Sequence, residues 1–134
     1  KFKPKVYFEE WDDPYISATR WVSEIIEITG GVDIFSEKSK NHKALERSVF
    51  SNEVISKNPD IILASWCGKK VNFEKIKERD GWGSISAVKT NSIFEIKSPT
   101  ILQPGPAALT DGLLQISHLI ENWKKSTIIR SFHS

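Results

Sequence analysis

The segment Ile61-Ile62-Leu63-Ala64 constrains the fold more than any other part of this 134-residue chain. No polar residue interrupts it, so it lacks the apolar–polar alternation of a strand with one solvated face. Such a run is typical of a strand in the middle of a parallel sheet, where helices cover both faces. Asn58-Pro59, just before it, ends a short helix that begins at Ser51. The segment therefore predicts an α/β fold with a buried central strand.

Strands and helices alternate along the rest of the chain, which is typical of a parallel sheet with crossover helices. Asp13 and Pro14 suit the first positions of a helix, and Gly30-Gly31 suits its end. The predicted strands cover residues 5–11, 32–35, 61–64 and 92–96; the predicted helices cover 14–29, 51–57, a segment around 73–77 and a last segment from about 106 to 125, with a charged surface loop at 36–48. The order predicts one Rossmann-like lobe over residues 1–134, with a mostly parallel central sheet flanked by helices on both faces.

The charge balance excludes two classes of partner. Nineteen Lys and Arg against seventeen Asp and Glu leave a net charge of +2. That value is too near neutral for nucleic acid or an anionic membrane to be the main partner. The chain contains no Met and does not begin with a signal sequence, so we interpret it as a processed chain or a piece of a larger protein.

Three loops follow predicted strands, at the edge of the sheet where open α/β folds bind ligands. They cover residues 11–14, 66–68 and 98–105. The first two begin with Trp11 and Trp66, and the third is largely apolar. Apolar faces with few polar groups favour a large, flat or ring-shaped ligand. Burial of both Trp residues as packing groups is an equally good interpretation.

Phosphate-binding and metal-binding motifs are not indicated. Gly30-Gly31 follows a predicted helix, whereas a dinucleotide-binding loop precedes one. His42, His118 and His133 are far apart, and none has a partner at the spacing of helical metal ligands. We therefore predict no cofactor and no metal site.

Two features invite a catalytic interpretation. Cys67 is the single Cys of the chain, and without an activating base it is more simply a small residue at a strand end. Asp12-Asp13 is similar to the acidic pair of a phosphoacceptor receiver domain, but Ala64-Ser65-Trp66 stands where the acceptor Asp is needed. We predict that the protein is not an enzyme. A Rossmann-like enzyme or regulatory domain and a pure interaction module are the alternatives.

Glu53 lies near the start of the predicted helix 51–57, where the helix dipole stabilises negative charge. The simpler interpretation is a carboxylate that caps the first turn of this helix. The alternative is a protruding charge that pairs with an Arg of a partner protein and fixes the docking register.

A series of short motifs runs through most of the chain, from about Lys5 to Trp123. They are EWDDPY (10–15), WV (21–22), GG (30–31), FSNEVI (50–55), NPDII (58–62), GW (81–82), IFEI (93–96), QPGP (103–106) and DG (111–112). In this order they resemble the C-terminal lobe of cobalamin-type, class III substrate-binding proteins of ABC importers.

The resemblance implies a two-lobed protein in the periplasm or on the outer face of the cell membrane. This chain would be the C-terminal lobe, with the N-terminal lobe and a membrane permease as its protein partners. Glu53 would pair with Arg residues of the permease. The resemblance and the loop positions together place the ligand site at Trp11, Asp13, Trp66, Cys67, Leu102, Gln103 and Pro104.

The implied ligand is a small-molecule metal chelate. Cobalamin is our first choice, and a ferric siderophore or haem is the alternative. Three departures from the family bear on this choice: Ala107 stands where Arg is frequent, Arg20 stands where some relatives have His, and the loop 36–48 is long and basic. The basic loop could favour an anionic ferric chelate, although a solvated surface is the simpler interpretation.

Overall fold

Strands and helices alternate along the chain in the computed structural model, which describes residues 2–97 and 111–133. The strands are β1 (Lys5–Asp12), β2 (Tyr15–Ser17), β3 (Val32–Asp33), β4 (Ile61–Ala64) and β5 (Ile93–Glu95). The helices are α1 (Arg20–Ile28), α2 (Ser51–Lys57), α3 (Phe73–Lys77), α4 (Ser86–Lys89) and α5 (Leu113–His133), and short 3-10 turns cover Lys38–Lys40, Ala44–Arg47 and Trp82–Ser84. Within the described ranges, no helix combines the length and the apolar character needed to cross a membrane.

The first strand organises the sheet. On one side β1 pairs in parallel with β4, and β5 extends the sheet beyond β4, again in parallel. On its other side β1 pairs in parallel with β3 near its start and antiparallel with β2 near its end. The described sheet is therefore mostly parallel, and the predicted α/β lobe is confirmed.

Side chains along β1 and β4 alternate between two cores because successive residues of a strand point to opposite faces. Val6 and Ile61 pack with α1 and α5 on one face. Tyr7 and Ile62 pack with α2, α3 and α4 on the other. All four residues of β4 have no exposed surface. This burial confirms that the uninterrupted apolar run is a central strand covered by helices on both faces.

The segment after β1 forms a hairpin, so the prediction of a helix starting at Pro14 was wrong. The chain turns there and returns as β2, with Tyr15 paired to Asp12. The Tyr15 ring also meets the Trp82 ring edge to face, with centres 5.6 Å apart. These sheet and ring contacts outweigh a helix-start signal that is weak by itself. The first helix begins only at Arg20.

The charged segment 36–48 is mostly a surface loop, as predicted, but one buried Arg anchors it. Arg47 is 3% exposed, and its guanidinium donates to three backbone carbonyl oxygens, two of them within the loop. It also forms an ion pair of 2.8 Å with Glu10. Burial raises the pKa of Glu10, although Arg47 opposes the shift. The loop therefore carries less free positive charge than its composition indicates.

The last helix, which the sequence predicted, packs an apolar stripe against the core. Ile116, Ile120 and Trp123 are buried in the core that contains β1 residues Val6 and Phe8. The helix continues to His133, well past the predicted end near residue 125. Its predicted start near residue 106 lies outside the described residues.

Truncation of Leu63 tests whether β4 is the centre of the fold. Leu63→Ala should lower the free energy of unfolding by about 2–5 kcal/mol, because it opens a cavity in a closed core. Leu114→Ala is the matched control, because Leu114 is 56% exposed and its truncation should change stability by less than about 0.5 kcal/mol. Urea unfolding measures both. Equal effects of the two substitutions would contradict a central position for β4.

Candidate functional site

A cleft of about 590 Å³ opens at the carboxyl ends of β1 and β4. The hairpin after β1 forms one side of the cleft, and the start of α2 forms another. The part of the chain that follows β4 supplies the basic side chains that line the cleft. The lining residues are Asp12, Asp13, Pro14, Tyr15, Val49, Phe50, Ser51, Trp66, Lys69, Lys75 and Arg79. The cleft thus lies at the edge of the sheet where the sequence predicted a ligand site.

A fully buried carboxylate, that of Glu9, lies beneath this cleft. Glu9 has no exposed surface and accepts a bidentate pair of hydrogen bonds, each 2.8 Å long, from Arg79. It also accepts hydrogen bonds from the Tyr7 hydroxyl at 2.7 Å and the Trp66 indole nitrogen at 3.0 Å. Because a buried carboxylate is costly unless it is paired and hydrogen-bonded, these four bonds fix the surrounding side chains in one arrangement.

Two aromatic rings hold the guanidinium of Arg79. Its central carbon lies 4.1 Å from the ring centre of Tyr15 and 4.5 Å from that of Trp82. Burial would lower the pKa of Arg79, but the hydrogen bonds and charge of Glu9 outweigh it and raise the pKa. Burial, with Glu9 nearby, also raises the pKa of Tyr7 well above its usual value. Arg79 therefore stays charged, and its charge is compensated within the protein.

The two Trp residues of the predicted site lie together but differ in exposure. Trp66 is 3% exposed, and its ring nitrogen donates to Glu9. Trp11 is half-buried, and its ring nitrogen donates to the backbone oxygen of Asp13 at 3.1 Å. Burial of Trp66 agrees with the packing interpretation, whereas Trp11 keeps part of its surface accessible.

The ammonium of Lys69 lies between the two indoles. Its nitrogen is 4.5 Å from the ring centre of Trp11 and 5.2 Å from that of Trp66. The same nitrogen lies 2.8 Å from Oδ1 of Asp12 and donates to Oδ2 at 3.1 Å. Asp13 is exposed on the cleft wall. In the parts of the chain that the structure describes, Asp13 forms no salt bridge.

The remaining predicted site residues are Cys67, Leu102, Gln103 and Pro104. Cys67 is exposed beside Trp66 at the end of the strand segment. Across residues 2–97 and 111–133, no hydrogen bond joins Cys67 to a histidine, so no catalytic pair is formed there. Within the same ranges, no group of acidic, His and Cys side chains is arranged to hold a metal ion. The predicted residues Leu102, Gln103 and Pro104 lie outside the described residues.

Glu53 occupies the third position of α2 and is half-buried. Its Oε1 accepts a hydrogen bond of 2.8 Å from the backbone N–H of Phe50. Phe50 has no side-chain acceptor, so only the Glu half of a capping box is present. Glu53 therefore caps the first turn of α2. Because Phe50 and Ser51 line the cleft, Glu53 also lies at the cleft end of the lobe.

The sequence interpretation missed the residues that build the floor of the cleft. Glu9 carries a visible signal, since a charged residue in a buried strand requires a charged or hydrogen-bonding partner. The identity of the partner, Arg79, has no such signal, because the two residues are 70 positions apart. Lys69 was missed because its neighbours Trp11 and Trp66 meet only when β1 and β4 pair.

A second groove, of about 530 Å³, runs along α1. It is lined by Arg20, Ser23, Glu24, Glu27, Ile28, Ser36, Ser39 and Lys40. It faces the charged loop instead of the carboxyl ends of the strands, and none of the predicted ligand residues that the structure describes lines it.

The family model of periplasmic binding proteins matches residues 1–100. The chain therefore belongs to the periplasmic binding protein family, as the motifs predicted. No curated protein matches the chain.

Solved structures of similar fold come from several organisms. A possible iron-binding, periplasmic solute-binding protein of Staphylococcus epidermidis is 26% identical, with a TM-score of 0.74, over 90% of this chain and 46% of its own. The periplasmic vitamin B12-binding protein of Vibrio cholerae is 20% identical, with a TM-score of 0.71, over 92% and 46%. The heme complex of IsdE from Staphylococcus aureus is 23% identical, with a TM-score of 0.63, over 90% and 48%. The chain thus spans about half the length of these structures.

Replacement of Arg79 tests the buried ion pair. Arg79→Leu should lower the free energy of unfolding by about 3–5 kcal/mol, because it leaves the Glu9 carboxylate buried without a counter-charge. The double variant Glu9→Gln/Arg79→Leu should lose less free energy of unfolding than Arg79→Leu alone, because it buries no unpaired charge.

Thermal and urea unfolding of both variants measure this coupling. Arg130→Leu is the control for loss of an Arg side chain, because Arg130 is exposed on α5 and its replacement should change stability by less than about 0.5 kcal/mol. A double variant that is less stable than Arg79→Leu would contradict the assignment.

Proposed function

We propose that this chain is one lobe, the C-terminal one, of a substrate-binding protein that captures a metal chelate for an ABC importer. The chelate binds between the two lobes, and the loaded protein delivers it to the permease in the membrane. The protein works in the periplasm or on the outer face of the membrane.

The cleft at the carboxyl edge is the observation that carries this proposal. It combines an exposed aromatic side chain, Phe50, and the half-buried ring of Tyr15 with several polar and charged side chains. Binding sites for small molecules likewise combine aromatic surface with polar groups that fix the orientation of the ligand. Membership of the periplasmic binding protein family supports capture and transport over catalysis.

Three chelates are the candidate ligands. Cobalamin is the first to test, because the motifs resemble cobalamin-type proteins and a vitamin B12-binding protein shares the fold. Haem and a ferric siderophore are the alternatives, supported by the similarity to a heme complex and to a possible iron-binding protein. All three present a metal inside a large organic ring or shell, whose surface suits aromatic contacts.

Phe50 is the best position at which to test chelate binding. It is 75% exposed and lines the cleft, so its ring is available for stacking on a ligand. Phe50→Ala should weaken binding of the cognate chelate by about 5–10-fold, which corresponds to the loss of one aromatic contact. Titration of the chain with cobalamin, haem and a ferric siderophore, followed by Trp fluorescence, measures the affinities.

Leu45→Ala is the matched control, because Leu45 is 72% exposed but lies outside the cleft. It should leave binding unchanged. One lobe offers only part of the contact area, so the unmodified chain should bind its chelate no tighter than about micromolar. Sub-micromolar affinity would contradict the assignment of a single lobe, and failure of all three chelates to bind would contradict the proposed function.

Docking to the permease is assigned to Glu53. One of its carboxylate oxygens holds the first turn of α2. The other, Oε2, makes no hydrogen bond to the residues that the structure describes, and the side chain is only half-buried. Because a charged hydrogen bond between a carboxylate and an Arg is strong and directional, Glu53 can fix the orientation of the lobe on a basic partner.

Two substitutions separate capping from docking. Glu53→Gln keeps an oxygen acceptor for the first turn but removes the charge, whereas Glu53→Arg reverses it. In the two-lobed protein, Glu53→Gln should reduce chelate uptake through the permease by about tenfold, the loss of roughly one charged pair, and Glu53→Arg should abolish uptake. Chelate affinity should stay unchanged in both.

Glu74→Gln is the control for loss of an acidic side chain, because Glu74 is exposed in the first turn of α3. Uptake into vesicles that contain the permease should be normal for this variant. Normal uptake by Glu53→Arg would exclude Glu53 from docking, and a loss of chelate affinity would place it in the ligand site.

A further inference from the structure

Three side chains beside the cleft, two of which line it, contact a cationic group. The ammonium of Lys69 lies 4.5 Å from the ring centre of Trp11 and 5.2 Å from that of Trp66. It lies 2.8 Å from a carboxylate oxygen of Asp12. We call Trp11, Trp66 and Asp12 the indole cage. Two indole faces and a carboxylate are the chemical groups that attract organic cations most strongly.

The carboxylate of Asp12 requires a cation at this position. Its side chain is only 12% exposed, and its buried Oδ1 lies 2.8 Å from the Lys69 ammonium. Lys69 supplies the nearby charge. A neutral group that displaced Lys69 would leave a mostly buried carboxylate without a counter-charge, which is unfavourable. An ammonium group that displaced it would restore the pair.

Lys69 itself can leave the cage at low cost when another cation takes its place. Its side chain is 44% exposed, and a pair of this exposure contributes little net stability. It belongs to an exposed turn, 67–70, in which Gly68 has a φ of +78° and open space around it. Withdrawal of the side chain therefore does not require β4 to move.

We propose that the indole cage is a binding subsite for an organic ammonium group of the ligand, and that Lys69 fills it with its own ammonium until the ligand displaces it. This subsite rests on the proposed function in one respect, since Asp12 and Lys69 line the same cleft. It favours a chelate that carries an amine over a corrinoid, whose amide side chains are neutral.

Choline and its neutral isostere 3,3-dimethylbutan-1-ol are the probes that test the cage. Lys69→Ala should bind choline about tenfold more tightly than the unmodified chain, because the competing ammonium is gone. The neutral isostere should bind Lys69→Ala at least about tenfold more weakly than choline does. Adding Asp12→Asn to Lys69→Ala should remove most of this increase in choline affinity.

Two-dimensional NMR of the indole N–H groups gives the site-specific readout. Choline should shift the signals of Trp11 and Trp66 and leave that of Trp123 unchanged. Lys70→Ala is the matched control, because Lys70 is an exposed neighbour without these contacts, and it should bind choline like the unmodified chain. Lys69→Gln, which keeps a long polar side chain, serves as the second variant in case Lys69→Ala fails to fold.

If Lys69→Ala binds choline and its isostere equally, or binds choline no more tightly than the unmodified chain does, the proposed subsite is wrong. These outcomes are separate from the chelate titration described above. If the chelates bind and choline does not shift the Trp11 signal, the subsite fails while the proposed function stands. If choline binds at the cage and no chelate binds, the proposed function fails while the ammonium subsite stands.

Discussion

The buried ion pair between Glu9 and Arg79 is the interaction on which the cleft depends. Glu9 lies in the middle of β1, and its carboxylate has no contact with solvent. Arg79 reaches it from beyond α3 and closes a network that also includes the Tyr7 hydroxyl and the Trp66 indole. Since each member is satisfied only when all are in place, the network gives the floor of the cleft one fixed shape.

This network also sets the electrostatics of the cleft. Two of its three basic side chains, Arg79 and Lys69, are each paired with an acid, Glu9 and Asp12 respectively. In the loop 36–48, the charge of Arg47 is likewise balanced by an ion pair with Glu10. Most of the basic side chains that line the cleft are therefore neutralised by acidic residues of the lobe. Ligand selectivity then depends less on overall electrostatic attraction than on contacts with aromatic rings and on which paired charge the ligand can replace.

The parts of the fold that follow local rules could be predicted from the sequence. The apolar run of β4 and the left-handed Asn58 that ends α2 each act within a few residues. The hairpin could not, because Asp13-Pro14 suits both a tight turn and a helix start, and the contact that decides between them joins Tyr15 to Trp82.

The same distinction applies to the site. The edge of the sheet and Trp11 were predicted from strand order and residue type. Glu9, Arg79 and Lys69 were not, because their partners are brought together by the pairing of β1 with β4 and by a chain segment far along the sequence. Long-range pairs between charged residues leave no periodic pattern for local analysis to detect.

A crystal structure of the two-lobed protein with a bound metal chelate, with the metal located by anomalous scattering, tests the central claim most directly. The account predicts a single metal peak over the cleft between the hairpin after β1 and the start of α2, within contact distance of a chelate that touches Phe50. A metal peak in the groove along α1, beside Arg20 and Lys40, would contradict it.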